Sequence, residues 1–215
     1  LQNIRLLTNA THRAEQIQHV SLLGQAVQAT LRLDTILNIM LSESQHILSM
    51  DRMNIALYHN GRGELINAAE YVDGRTLVEL DNGKAFPLEG TFIGQVWKSQ
   101  EILVFDDTHQ LTNVSRVQEL NLRSMLIAPM RSRGNPIGVV SLGAYRPYSY
   151  EDADQAIFRQ MINQLALAIE NARAYTQSQR VAKNEALINE IATQFQQHSS
   201  VEDMLQTAVS ELGRA

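Results

Sequence analysis

The positions Ile17, Val20, Gly24, Val27 and Leu31 recur at alternating steps of three and four, in a stretch from Leu1 to Leu31 with no Pro and one Gly. The pattern predicts a helix with a narrow apolar seam. A seam only two positions wide per heptad suits a partner helix better than a domain surface, so a coiled coil is favoured over a core helix. Arg32-Leu33-Asp34 reads as a break, with Asp34 as the N-cap of a second helix. Its apolar face is wide: Ile36, Leu37, Met40, Leu41, Ile47 and Leu48.

From Arg52 the period falls to two, with Met53, Ile55 and Leu57 opposed to Asn54, Ala56 and Tyr58. Asn60-Gly61-Arg62-Gly63 turns this strand into another near Leu65 to Tyr71, a hairpin. A loop through Asp73-Gly74 and Asp81-Asn82-Gly83 leads to Phe86-Pro87-Leu88 and a brief helix from Thr91, its plausible cap, to Lys98. Glu101 to Phe105 reads as a strand, followed by an irregular stretch with a short helix around Ser115 to Asn121. Arg123 to Arg131 and Pro136 to Ala144 form a second hairpin about Ser132-Arg133-Gly134-Asn135.

Ser149-Tyr150-Glu151-Asp152 reads as a capping box with Ser149 as N-cap, and the helix that it opens meets no Pro or Gly before Gly213. Ile157, Met161, Leu165, Ile169 and Ala172 form its inward face; beyond Ala174 the composition turns polar. A helix running to about His198 is roughly 70 Å long at 1.5 Å per residue, more than one domain can cover. The element order describes a mostly antiparallel sheet with helices packed on it, the α+β class.

Shifting the chain by 168 residues lays Val20 on Ile188, Val27 on Phe195, Leu37 on Leu205 and Leu41-Ser42-Glu43 on Val209-Ser210-Glu211. This suggests an internal repeat, with Ser200 capping the opening helix of a second unit. The expected organisation is therefore a signalling helix over 1–31, a domain over 32–174, a linker helix over 175–198 and the start of a tandem unit over 199–215.

Composition narrows the function. With 18 basic against 23 acidic residues, a net charge of -5 and no basic stripe, nucleic acid is a poor partner. No apolar run is long enough to cross a bilayer and no signal-peptide pattern stands at Leu1, so a cytoplasmic location is expected. The absence of Cys excludes disulfides, thiolate metal sites, cysteine nucleophiles and thioether-linked cofactors.

Phe86 to Val96 (FPLEGTFIGQV), Ile102 to Asp106, Leu126 to Met130, Pro136 to Leu142 and Tyr148 to Asp152, in this order and spacing, resemble the GAF domains of signalling proteins. The resemblance covers about Leu33 to Asn171. It implies a six-stranded antiparallel sheet with helices on one face and a small-molecule pocket on the other, here flanked by long terminal signalling helices. Bilin-bearing relatives attach the chromophore through a Cys whose matching positions here are Thr112 and Asn113, so covalent bilin binding is excluded. The free methionine sulfoxide reductases of this fold work through cysteines, which this chain lacks. Cyclic-nucleotide binders carry Asn-Lys after the sixth strand, where this chain has Gly143-Ala144-Tyr145, and Ala153 replaces their Glu. Tyr148 and Asp152 keep the other half, so cyclic-nucleotide binding stays open as a less supported option.

Pocket walls are expected from Phe92, Trp97, Phe105 and Met125, since the family's short helix and central strands enclose the ligand. Plain core packing is the competing reading for each. Asp107, Thr108 and His109 follow in the segment that borders the pocket in this family. A histidine there could ligate haem, but a solvated loop histidine is the favoured reading and no haem is expected. His12 and His19 lie two helical turns apart, too far for one ion, and no other histidine has metal-ligand spacing. Asp106 and Asp107 point opposite ways along an extended chain, and no nucleophile elbow or phosphate loop is present, so no enzyme is expected. Two functions remain: a module that binds a small ligand non-covalently and passes its state through paired helices, or a ligand-free dimerising spacer between input and output domains. The expected partner is a second copy in parallel, across Ile17, Val20, Gly24, Val27 and Leu31.

Overall fold

Alternation along the central strands decides the architecture. In the computed structural model, which describes residues 2–80, 83–111, 119–197 and 201–214, Met53, Ile55 and Leu57 sink into one apolar cluster while Ala56 and Tyr58 join another. A sheet with cores on both faces follows. The chain divides into two units, Leu1–Ala172 and Arg173–Ala215.

In the first unit, helices α1 (Gln2–Gln28) and α2 (Leu33–Ser44) precede strands β1 (Arg52–His59), β2 (Glu64–Val72) and β3 (Arg75–Val78). Helix α3 (Phe92–Ser99), β4 (Leu103–Phe105), a 3-10 turn (Thr108–Gln110), β5 (Ser124–Ser132) and β6 (Asn135–Ala144) follow, and α4 starts at Asp152. The strands form one antiparallel sheet in the order β3-β2-β1-β6-β5-β4. β1 sits at the centre, with Ile55 opposite both Ala69 of β2 and Val140 of β6.

β3 falls where the sequence reading expected a loop. Asp73 (φ 47°) and Gly74 (φ 86°) both take the left-handed conformation, as do Arg133 (φ 49°) and Gly134 (φ 83°) between β5 and β6. Paired positive φ values define the two-residue turn that matches strand twist, so Asp-Gly here marks a hairpin. The short helix expected around Ser115 to Asn121 falls mostly outside the described residues, as do Thr112 and Asn113.

Helices α1, α2 and α4 cover one face of the sheet. Val20 and Val27 are fully buried in that core, together with Leu23. This corrects the expectation that they face a partner chain and that residues 1–31 stand apart from the domain. The seam is covered from within: a Cβ added to Gly24 would meet the Gln164 side chain of α4 at 3.0 Å. Gln28 donates to Gln164 Oε1 at 2.5 Å, and Gln16 Nε2 donates to the Ile47 carbonyl at 2.9 Å. Ile17 and Leu31, the ends of the seam, are 56% and 42% exposed.

Two caps are shifted. α2 already begins at Leu33, and its N-cap Arg32 makes no side-chain capping bond. Asp34 instead lies in the first turn and pairs with Arg32 at 2.7 Å. At α4, Ser149 donates to the Arg146 carbonyl, and Glu151 occupies the cap position with its N–H donating to Asp154 Oδ2 at 2.9 Å. That is half of a capping box set two residues later, because Tyr148 turns the chain at φ 54°. The inward residues Ile157, Met161, Leu165, Ile169 and Ala172 are all buried.

The second unit contains the rest of α4, which ends at Gln197, and α5 (Val201–Leu212). Residues 174–190 are all exposed, including Val181 at 45% and Ile188 at 64%. The division between the units falls within α4, after Ala172. Ser200, the expected cap of the repeat, lies outside the described residues.

Candidate ligand-binding face

The second face of the sheet is covered by α3 and the segment before it. Thr91 caps α3, its Oγ1 accepting from Gly94 N at 3.1 Å and donating to the Pro87 carbonyl at 2.6 Å. Gly94 is required by proximity: a Cβ there would lie 1.7 Å from the Leu88 carbonyl oxygen. Phe86 and Leu88 pack on the same cluster, the Phe86 N–H donating to the Leu65 carbonyl at 2.7 Å. Phe92 packs on Phe105 with ring centroids 4.3 Å apart, and Trp97 stacks on Tyr58 at 5.2 Å. Phe92, Trp97, Phe105 and Met125, expected as pocket walls, thus share one apolar cluster.

Asp107, Thr108 and His109 do not join them. Asp107 accepts a two-pronged bond from Arg123, 2.8 Å from Nε and 2.6 Å from Nη2, and a third from the His109 backbone N–H at 3.1 Å. The Arg123 guanidinium draws this carboxyl down to about 2, against the opposing effect of burial. Thr108 is buried, its N–H donating to the Arg123 carbonyl at 2.7 Å and its hydroxyl to the Leu122 carbonyl. The polar groups of both residues therefore tie the 3-10 turn to the entry of β5. His109 is exposed. Of the trio expected to contact a ligand, Asp107 and Thr108 thus have their hydrogen bonds engaged within the chain.

The polar part of the face lies on β1 and its neighbours. Arg52 and Asn54 share a side of β1 with Ala56 and Tyr58, and Asn54 stands between Glu70 of β2 and Ser141 of β6. Asn54 Nδ2 donates to Asn67 Oδ1 at 2.5 Å. Asn54 Oδ1 and Arg52 Nε are both buried, and neither has a hydrogen-bond partner among the described residues. Buried polar atoms in this state are rare, since each costs about 1–3 kcal/mol. Ser141 beside them is 8% exposed. None of these residues was singled out from sequence, where Asn54 is merely the polar half of an alternating strand. The signal available was Arg52 and Asn54 at two consecutive inward steps of a central strand, where apolar residues belong.

Among the described residues no group of three or more His, Cys, Asp or Glu could hold a metal ion, and no helix is long and apolar enough to cross a membrane.

Several known proteins are similar to this chain in sequence or in fold. The formate hydrogenlyase transcriptional activator of Salmonella typhimurium is 23% identical over 188 residues, 82% of this chain but 26% of its own length. The chain thus spans about a quarter of the curated relatives it matches. Free methionine-R-sulfoxide reductase from Neisseria meningitidis, in complex with its substrate, superposes with a TM-score of 0.62 at 15% identity, covering 76% of this chain and 93% of that one. The GAF domain of a two-component sensor histidine kinase from Bacillus halodurans gives 0.57 at 24% identity, covering 68% and 99%. At these identities the structural likenesses establish the fold, the antiparallel six-stranded sheet with helices described above. Residues 30–170, which hold the sheet and both its covered faces, match the GAF domain family, and the chain belongs to that family.

Proposed function

We propose that this chain is a non-catalytic sensory module that binds a small polar molecule non-covalently on the second face of the sheet and passes its state through helices paired with a second copy. The observation that carries the reading is the pair of buried, unpartnered atoms Asn54 Oδ1 and Arg52 Nε, one acceptor and one donor. A ligand offering a donor and an acceptor would satisfy both, and the Tyr58, Trp97, Phe92 and Phe105 rings lie further along the same face of the sheet. Relatives named as a transcriptional activator and a sensor histidine kinase support a regulatory role. Asp107, held as an ion pair, is a poor acid or base, which supports a non-enzymatic reading.

The test is a thermal melt of the chain against a panel of small metabolites. A ligand at 100 times its dissociation constant adds about 2.7 kcal/mol of stability. The double variant Asn54→Leu, Asn67→Leu removes both hydrogen-bond partners together and should fold with near-unchanged stability. A compound that stabilises the wild type but not this variant supports the reading. A compound that stabilises both equally refutes the assignment of the face.

The dimerising-spacer reading is favoured by one observation of its own. Val181 and Ile188, seven residues apart on α4, are 45% and 64% exposed, the heptad repeat of a helix seam. Helices with sparse apolar positions are marginal in water without a partner. A parallel homodimer along this stretch is expected to sediment as a dimer at tens of micromolar and to separate in Val181→Glu, Ile188→Glu. A wild-type monomer at that concentration refutes pairing. A dimer without any stabilising ligand leaves the spacer as the function.

A further inference from the structure

A groove of about 550 Å³ opens at the β4 edge of the sheet, on a different part of the molecule from Asn54. Ile102, half-buried, lines it beside the core residues Ala128 of β5 and Ile162 of α4, and its charged groups are Glu101, Arg131 and Arg159. The volume falls within the range of small-molecule sites.

The two arginines differ in how they are held. Arg131 is fixed by Gln100: its Nε donates to Gln100 Oε1 and its Nη2 to the Gln100 carbonyl, both at 2.8 Å. Gln100 can present that carbonyl because it ends α3 in the left-handed conformation, φ 59°. Nη1 of Arg131 is not used in these bonds. Arg159, on the second turn of α4, has no hydrogen bond or ion pair among the described residues. Two guanidinium groups against one carboxylate give the groove a local positive excess in a chain whose net charge is -5. Guanidinium recognises carboxylate and phosphate through paired N–H donors.

We propose that this groove is a second binding site, for a small organic anion whose carboxylate or phosphate is held between Arg131 and Arg159. Such a ligand touches the edge of the sheet and the first turns of α4 at once. Binding there fastens the start of α4 to the sheet, independently of what the second face binds.

The experiment is an amide NMR titration of the full chain with octanoate, with octan-1-ol as its uncharged counterpart. Octanoate is expected to give saturable shifts at residues 100–102, 128–131 and 159–163, and octanol to bind at least tenfold more weakly. Arg159→Gln, at an exposed side chain with no partner to lose, should weaken octanoate by about tenfold or more, the usual worth of a charge-assisted bond. Asn54→Leu, Asn67→Leu should leave octanoate binding unchanged, which keeps this site separate from the second face. Equal binding of octanol, unchanged affinity in Arg159→Gln, or shifts centred on residues 52–67 would each overturn the proposal.

Discussion

Replacing Val20 and Val27 by Ala tests whether α1 belongs to the domain or to a partner chain. Each side chain is fully buried within a single copy, so each substitution removes two carbons from a packed core. Transfer alone costs about 0.8 kcal/mol per carbon, and the residual cavity raises the total to roughly 2–3 kcal/mol per site. The residues lie two helical turns apart, about 10 Å, so the effects should add to roughly 4–6 kcal/mol. That is a large part of the 5–15 kcal/mol that holds a typical domain together. At about 2–4 °C per kcal/mol for a chain of this size, the melting temperature should fall by roughly 10–20 °C. Ile17→Ala, at a position 56% exposed, should change stability by less than about 0.5 kcal/mol. Calorimetric melts over a hundredfold range of protein concentration distinguish the origins of the loss. A core defect is unimolecular, so the difference between wild type and double variant stays constant with concentration, whereas a defect in a dimer seam grows as the protein is diluted. A concentration-dependent difference, or an Ile17→Ala effect as large as that of the Val pair, would refute the assignment of these valines to the core.

Three further outcomes follow from the same structure. Asp107 titrates at about 2 when folded against about 3.9 when unfolded; its depressed value means that the stability from the Arg123 pair is complete above about pH 4 and lost as pH falls through 2. Asp107→Asn should therefore remove that part of the acid dependence in urea melts, and identical slopes for both proteins between pH 4 and 2 would contradict the pairing. Gly94→Ala forces a methyl to within 1.7 Å of the Leu88 carbonyl oxygen and should cost at least about 1–3 kcal/mol, with the Trp97 fluorescence maximum moving to the red as its stack on Tyr58 opens; an unchanged spectrum and stability would show that the contact relaxes freely. Cyclic AMP and cyclic GMP should show no binding at micromolar concentration in calorimetry, because Gly143-Ala144-Tyr145 stands where the nucleotide binders carry Asn-Lys; micromolar affinity for either would reverse this.

The parts of the fold that were legible in sequence are those in which local pattern and tertiary role agree. Two hairpins, the Thr91 cap and the inward face of α4 all follow from periodicity or turn chemistry that packing then reinforces. The N-terminal helix misled because its seam is narrow. A narrow seam is the mark of a two-helix contact, yet Val20 and Val27 meet the broad core of their own domain, with Gly24 letting Gln164 of α4 come close. The period of a helix states how much of it is covered and leaves open by what. β3 was missed for a different reason: only four residues long and three of them exposed, it has no apolar alternation to read. The Asp73-Gly74 turn was its one local sign.

The candidate site was less legible, because the residues that best support ligand binding break the hydrophobic pattern instead of following it. Phe92, Trp97, Phe105 and Met125 could be named in advance because apolar side chains on a short helix and central strands collect wherever a face is covered. The same logic cannot say whether the face is core or pocket. Arg52 and Asn54 bear on that question through a property invisible in one dimension. Each lies on the side of β1 that faces α3 and the aromatic cluster, each buries a polar atom, and neither atom finds a partner among the described residues. A sequence optimised for stability alone would place apolar residues at these two steps, since replacing an unsatisfied buried polar group with an apolar one is neutral or favourable. Asp107 and Thr108 show the converse. They looked like ligand contacts because they are polar and border the expected pocket, but their hydrogen bonds are already made to Arg123 and Leu122. On this face it is the unmet bonds at Arg52 and Asn54, and not polarity as such, that mark where a ligand would gain most.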